Sequence, residues 1–155
     1  MRGRVRAYII KLVIMNNHLS RPIFILISCL FFSSGIVFGQ TIYDFKTKSA
    51  NNEKDRTMIL DLVRGSLYQS HRQEFIFVVN KLNATNTHAW FEGDAQRKDG
   101  RKVAIEEYED CCHVEALLKK SGGKWYIMEL SAFSTDVWWD GLWNRYRLPR
   151  QLFFR

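Results

Sequence analysis

The feature that most constrains this chain is a run of strand-forming segments joined by turn signals, preceded by a single amphipathic stretch. Glu74 to Leu82 is dense in Phe75, Ile76, Phe77, Val78 and Val79, the pattern of a strand covered on both faces. Asn83 to Thr87 supplies a turn. His88 to Gln96 then alternates, with Ala89, Phe91, Gly93 and Ala95 on one face and His88, Trp90, Glu92 and Asp94 on the other. Asp99-Gly100 is a hairpin signal, because it suits the positive dihedrals of tight turns. Val103 to Lys119 reads as one long strand, and Ser121-Gly122-Gly123-Lys124 turns it into Trp125 to Phe133. Four such runs in succession, with no second helix between them, predict an antiparallel sheet.

The partner of that sheet is the helix predicted over Glu53 to Tyr68. Met58, Ile59, Leu62, Val63 and Leu67 recur at three- and four-residue spacing and form one apolar stripe. Asn52 or Asp55 is the candidate cap of its first turn. Gln40 to Asn52 is polar without a period and reads as a flexible lead-in. After the sheet, Thr135 or Asp136 opens a short aromatic helix carrying Trp138, Trp139, Leu142, Trp143 and Tyr146, ended by Pro149. The expected fold is therefore α+β: an N-terminal helix packed on a curved four-stranded antiparallel sheet, with a short aromatic C-terminal helix. Residues 53–155 form the single folded domain of this reading.

Residues 1–39 read as a signal peptide. They contain Arg2, Arg4, Arg6, Lys11 and Arg21 and no acid, followed by an apolar run from Ile23 to Phe38. That is the secretory layout, with cleavage placed before Gln40. Met15 is a second candidate start, since Met15 to Gly39 alone has the usual signal length. An uncleaved anchor is the competing reading, although the run is shorter than the roughly 20 residues of a membrane span. Leu26-Ile27-Ser28-Cys29 also resembles a lipoprotein box, but the apolar run continues past the cysteine. The formal charge of the chain is +7. Without residues 1–39 it holds 18 basic and 16 acidic residues, a net of +2. Nucleic acid is therefore not an expected partner. The expected location is exported, periplasmic or extracellular, with membrane contact only through an uncleaved signal.

The order of elements resembles the cystatin-like and nuclear-transport-factor-2-like group of folds, in which a curved antiparallel sheet wraps a helix. The residues Tyr108 to Leu118, Gly123-Lys124-Trp125 and Thr135 to Trp139 also resemble an uncharacterised group of small exported bacterial proteins. The resemblance implies a fold that hosts isomerases, dehydratases and binding modules, so it does not choose a function. The Gln-x-Val-x-Gly loop through which cystatins inhibit cysteine proteases does not occur.

Candidate chemistry concentrates around the long strand. Strand alternation places Tyr108 and Asp110 on the helix-covered face, toward the mouth of any cavity. There a partly desolvated Asp110 could act as a base and Tyr108 could orient a substrate; a structural ion pair of Asp110 is the other reading. His113 and Glu115 fall on the opposite face, with His88 and Glu92 if those strands pair. Two histidines and two carboxylates can ligate zinc or exchange protons, but the spacing matches no metal motif and no metal or cofactor is expected. Cys111 and Cys112 remain after export. Neighbouring strand residues point to opposite faces, so two thiols are expected, with Cys112 in the core and a vicinal disulfide as the alternative. Trp138, Trp139 and Trp143, beside Arg145, Arg147 and Arg150, form either a binding surface or a tail that completes the core. No Gly-rich phosphate loop, Ser-His-Asp order or Cys-x-x-Cys motif occurs.

The expected function is binding of a small molecule or protein partner without catalysis. The alternative is a small-substrate isomerase, dehydratase or hydrolase using Asp110 and Tyr108, and a second alternative is a cell-envelope protein held in the membrane by an uncleaved anchor. Filling of the sheet's interior by Phe75, Phe77, Met128 and Leu130 favours the first. An enclosed pocket around Asp110 favours the second.

Overall fold

The computed structural model describes residues 40–105 and 111–154. Residues 1–39, the expected signal peptide, together with Tyr108 and Asp110, lie outside the described residues. Strand β1 (Tyr43–Asp44) precedes helix α1 (Glu53–His71), which is followed by β2 (Phe75–Ala84), β3 (His88–Arg97), β4 (His113–Ser121) and β5 (Lys124–Ala132). Two four-residue helical turns close the chain, α2 (Leu142–Arg145) and α3 (Gln151–Phe154). The strands form one antiparallel sheet in the order β1-β2-β3-β4-β5. No helix among the described residues is long and apolar enough to cross a membrane.

The sheet has five strands rather than four, because the lead-in is not free. Tyr43 pairs with Ala84 and Asp44 with Asn83, and the Phe45 N–H donates to Leu82 O at 2.7 Å. Ile42 packs on one side of the sheet and Phe45 on the other. Two residues are too few to show a period. Asn52 is buried without capping α1 through its side chain. Its Oδ1 accepts from the Ser49 N–H and its Nδ2 donates to Thr47 O, so it folds the lead-in instead.

Helix α1 buries Ile59, Leu60, Val63 and Leu67. Leu60 takes the place expected of Leu62, which is 36% exposed. Against α1 the sheet presents Phe75, Phe77, Phe91, Val114, Ala116, Leu118, Leu130 and Phe133. Two bulges keep this face apolar. In β2 the register shifts between Val79 and Lys81, so Phe75, Phe77 and Val79 face α1 before it and Leu82 and Ala84 after it. In β5 the shift around Met128 does the same: Trp125 and Ile127 face α1, then Leu130 and Ala132, while Met128 turns to the opposite side. A one-residue insertion flips the side-chain phase, and here it rescues burial.

Gly93 makes the first bulge possible. A Cβ there would lie 2.7 Å from Val78 O and 2.9 Å from the Phe91 ring. Gly93→Ala is expected to destabilise the fold by about 2 kcal/mol, because backbone on one side cannot yield as a flexible side chain would. Urea denaturation checks this, and a neutral substitution would mean the strands are less closely set.

The expected strand from Val103 is also corrected. β3 ends at Arg97 and β4 starts only at His113. The Asp99-Gly100 turn forms, with Gly100 at φ 75° and its N–H donating to Arg97 O, but it does not lead directly into a paired strand. The Gln73 side chain takes the place of a strand partner, donating to Ala104 O at 2.7 Å and accepting from the Ala104 N–H at 2.9 Å. By contrast, the Gly122-Gly123 hairpin joins β4 and β5 as the sequence indicates, with both glycines at positive φ.

The face away from α1 carries the aromatic tail. Trp90, Leu117, Leu142, Leu148, Leu152 and Phe153 form a second buried cluster, with Met128, Trp138, Trp139 and Trp143 against it. In place of the single aromatic helix, the chain makes α2 and α3. Gly141 enters α2 at φ 80° and Arg147 reverses the chain at φ 54°, so residues from both sides of Pro149 reach the sheet. The tail covers only one end of this face. Ile76 and Val78 remain 45% and 47% exposed, so the β2 run is not covered on both sides as its composition suggests.

Candidate functional site

Pairing of β3 with β4 sets Glu92 opposite Glu115 and Asp94 opposite His113. All four side chains lie on the face away from α1, at the border between its tail-covered end and its open end. His113 Nε2 is 3.2 Å from Glu115 Oε1, and its Nδ1 is 3.6 Å from Asp94 Oδ1. Lys81 Nζ pairs with Glu92 Oε2 at 3.1 Å and donates to Phe153 O at 2.8 Å. Asn80, the bulge residue, donates to Asp94 Oδ2. The cluster thus grades from the 46% exposed Asp94 side chain to Glu115, which is 6% exposed.

Burial pushes the Glu115 carboxyl above its usual range, against the opposing pull of His113 and of the Trp138 indole. The Trp138 N–H is close enough to favour the carboxylate, yet it is buried and makes no hydrogen bond of good geometry. A raised folded-state pKa means that the fold prefers protonated Glu115. Its contribution is complete below the ordinary value of 4.5 and is lost as pH rises through the folded value. Glu115→Gln, which mimics the protonated form, should match wild type in stability near pH 4 and exceed it at pH 8. Urea denaturation at both values checks the sign, and a variant weaker at pH 8 would show that the His113 pair dominates.

Of the residues named from sequence, Glu92, His113, Glu115 and Trp138 are brought together. Trp139 and Trp143 stand further along the tail, packed with Phe154. His88 is not part of the cluster: it pairs across from Lys119 at the far end of β3, bonds to Thr87, and has its pKa lowered by burial and by Lys119. Asp94 and Lys81 belong to the cluster and were not singled out. Asp94 was readable, since alternation places it on the Glu92 face. Lys81 was hidden by the bulge. Among the described residues no group of three or more His, Cys, Asp or Glu is arranged to hold a metal ion.

The sulfur atoms of Cys111 and Cys112 lie against each other, ahead of the start of β4. The pair lies outside the strand, so the alternation expected to send the two side chains to opposite faces does not hold there. Cys112 is partly buried against the α1-side core.

Three grooves lie away from the His113 cluster. One, about 660 Å³, runs between α1 and β5, where Met58, Leu62, Tyr126 and Ile127 form apolar walls and Asp61, Gln69 and Lys124 line its rim. A second lies between α1 and β2, between Arg64, Tyr68 and Ile76. A third borders Arg97, Arg101, Lys102 and the cysteine pair. No protein family, curated protein or solved structure matches this chain.

Proposed function

We propose that this chain is an exported α+β domain that binds a small molecule or a protein partner without catalysis. One observation carries the reading: the sheet face toward α1 is filled. Phe75, Phe77 and Leu130 pack into the core there with Phe91 and Phe133, and Met128 serves the opposite side. Binding is then left to the outer grooves. The α1–β5 groove is the best candidate, because Leu62 and Tyr126 stay exposed on its two walls. Export rests on the basic-then-apolar layout of residues 1–39, and a cystatin-like or nuclear-transport-factor-2-like kinship on the order of helix and strands.

Native mass spectrometry of the chain purified from its host tests this reading. The expected result is a retained species that Leu62→Lys releases, with the thermal midpoint unchanged. An empty wild-type chain, together with no chemical-shift change at Leu62 or Tyr126 across a small-molecule fragment set, would overturn the groove. Substrate turnover abolished by Asp110→Asn would replace binding with the isomerase, dehydratase or hydrolase alternative.

A further inference from the structure

Residues 139–155, from Trp139 onward, hold Arg145, Arg147, Arg150 and Arg155 against one acidic residue, Asp140. The apolar side chains of this segment are divided in two. Leu142, Leu148, Leu152 and Phe153 are buried on the sheet. Phe154 is 50% exposed, and its ring centroid lies 5.3 Å from Trp143 and 5.5 Å from Trp139. The Arg150 guanidinium sits 5.0 Å from both the Trp143 and the Phe154 centroids. Among the described residues neither Arg147 nor Arg150 is in an ion pair, while Arg145 reaches Glu129 at 3.4 Å.

We infer that this patch docks the domain on an anionic lipid bilayer. Rings of Trp and Phe beside arginines are suited to the boundary between headgroups and acyl chains. The Arg150 side chain lies over the Trp143 and Phe154 rings, and an arginine held along apolar surface can present its head to phosphate. The excess of arginine over the single Asp140 in the segment, with Arg147 and Arg150 outside any ion pair among the described residues, selects anionic over zwitterionic lipid. The contact is peripheral and reversible, and it anchors the folded domain independently of residues 1–39. It also lies across the sheet from the α1–β5 groove, so Leu62→Lys should leave it unchanged.

The chain provides its own probe. All five tryptophans fall at positions 90, 125, 138, 139 and 143, and residues 1–39 contain none. Quenching by brominated lipid therefore reports the folded domain and not the N-terminal segment. The full chain is titrated with vesicles of equal phosphatidylglycerol and brominated phosphatidylcholine, and with brominated phosphatidylcholine alone. Quenching is expected only on the anionic vesicles, weakening as salt rises. Arg147→Gln with Arg150→Gln should reduce vesicle affinity at least tenfold. Phe154→Ser should lose quenching with an unchanged far-ultraviolet spectrum, which keeps the test open if the double variant folds poorly. Absence of quenching, equal quenching on both vesicles, or indifference to loss of the arginines would overturn the inference. So would a dimer in sedimentation that Phe154→Ser dissociates, because the patch would then be covered by a second copy.

Discussion

Replacing Phe153 with alanine is expected to cost about 3–5 kcal/mol, the range for a fully buried aromatic ring. Phe153 is 1% exposed, with its ring centroid 4.8 Å from that of Trp90. Trp90 in turn contacts Trp138 and Trp139, so the ring is a keystone between sheet and tail. Its carbonyl accepts from Lys81, and the neighbouring Leu152 carbonyl accepts from the buried Asn83 amide. Loosening the tail would therefore also strip partners from two polar side chains of β2. The internal control is one residue away. Phe154 is half exposed, and Phe154→Ala should change stability by no more than about 0.5 kcal/mol. Urea denaturation followed by tryptophan fluorescence measures both. Equal, small effects would mean that the tail opens as a lid; a large difference means it completes the core while leaving its outer rings for contact.

The contrast between these neighbours shows what sequence could and could not reveal. Alternation was legible wherever a strand is regular: Val114, Ala116 and Leu118 face α1 while Glu115 and Leu117 face the tail. It failed at Asn80 and Met128, because a bulge changes the phase without requiring a residue type that marks it. Lys81 was lost from the site for that reason, and Met128 was assigned to the wrong side. The helix stripe was legible in kind, but Leu60 and Leu62 sit at either edge of it. Which one is buried depends on how α1 lies across the curved sheet, which is a tertiary fact. β1 was illegible because its order comes from partners far along the chain, Asn83 and Ala84. The pairing of Asp94 with His113 needed only the register of β3 on β4, the quantity alternation cannot supply.

Asp55→Ala should cost about 3 kcal/mol, because it leaves two partly or fully buried groups without their partner. Asp55 lies in the first turn of α1. It accepts from Lys120 Nζ at 2.7 and 2.9 Å and from the Trp125 indole N–H at 3.0 Å. Lys120 and Trp125 face each other across the β4–β5 hairpin, and Trp125 is 4% exposed. One carboxylate therefore ties the start of the helix to the tip of the sheet, a junction that no continuous run of sequence marks. Burial works to raise the Asp55 pKa, but the hydrogen bonds from Lys120 and Trp125 and the charges of Lys120 and Lys54 outweigh it, and the net shift is downward from 3.8. A depressed folded-state pKa contributes stability that is complete above the unfolded value and is lost as pH falls through the folded one. Asp55→Asn isolates this part, since it keeps an oxygen for Trp125 and removes only the charge. The stability difference between wild type and Asp55→Asn should be flat from pH 7 to about pH 5 and collapse below about pH 4. Chemical denaturation across that range decides it. A difference that persists undiminished to pH 2 would assign the junction to hydrogen bonding alone and remove Lys120 from the account.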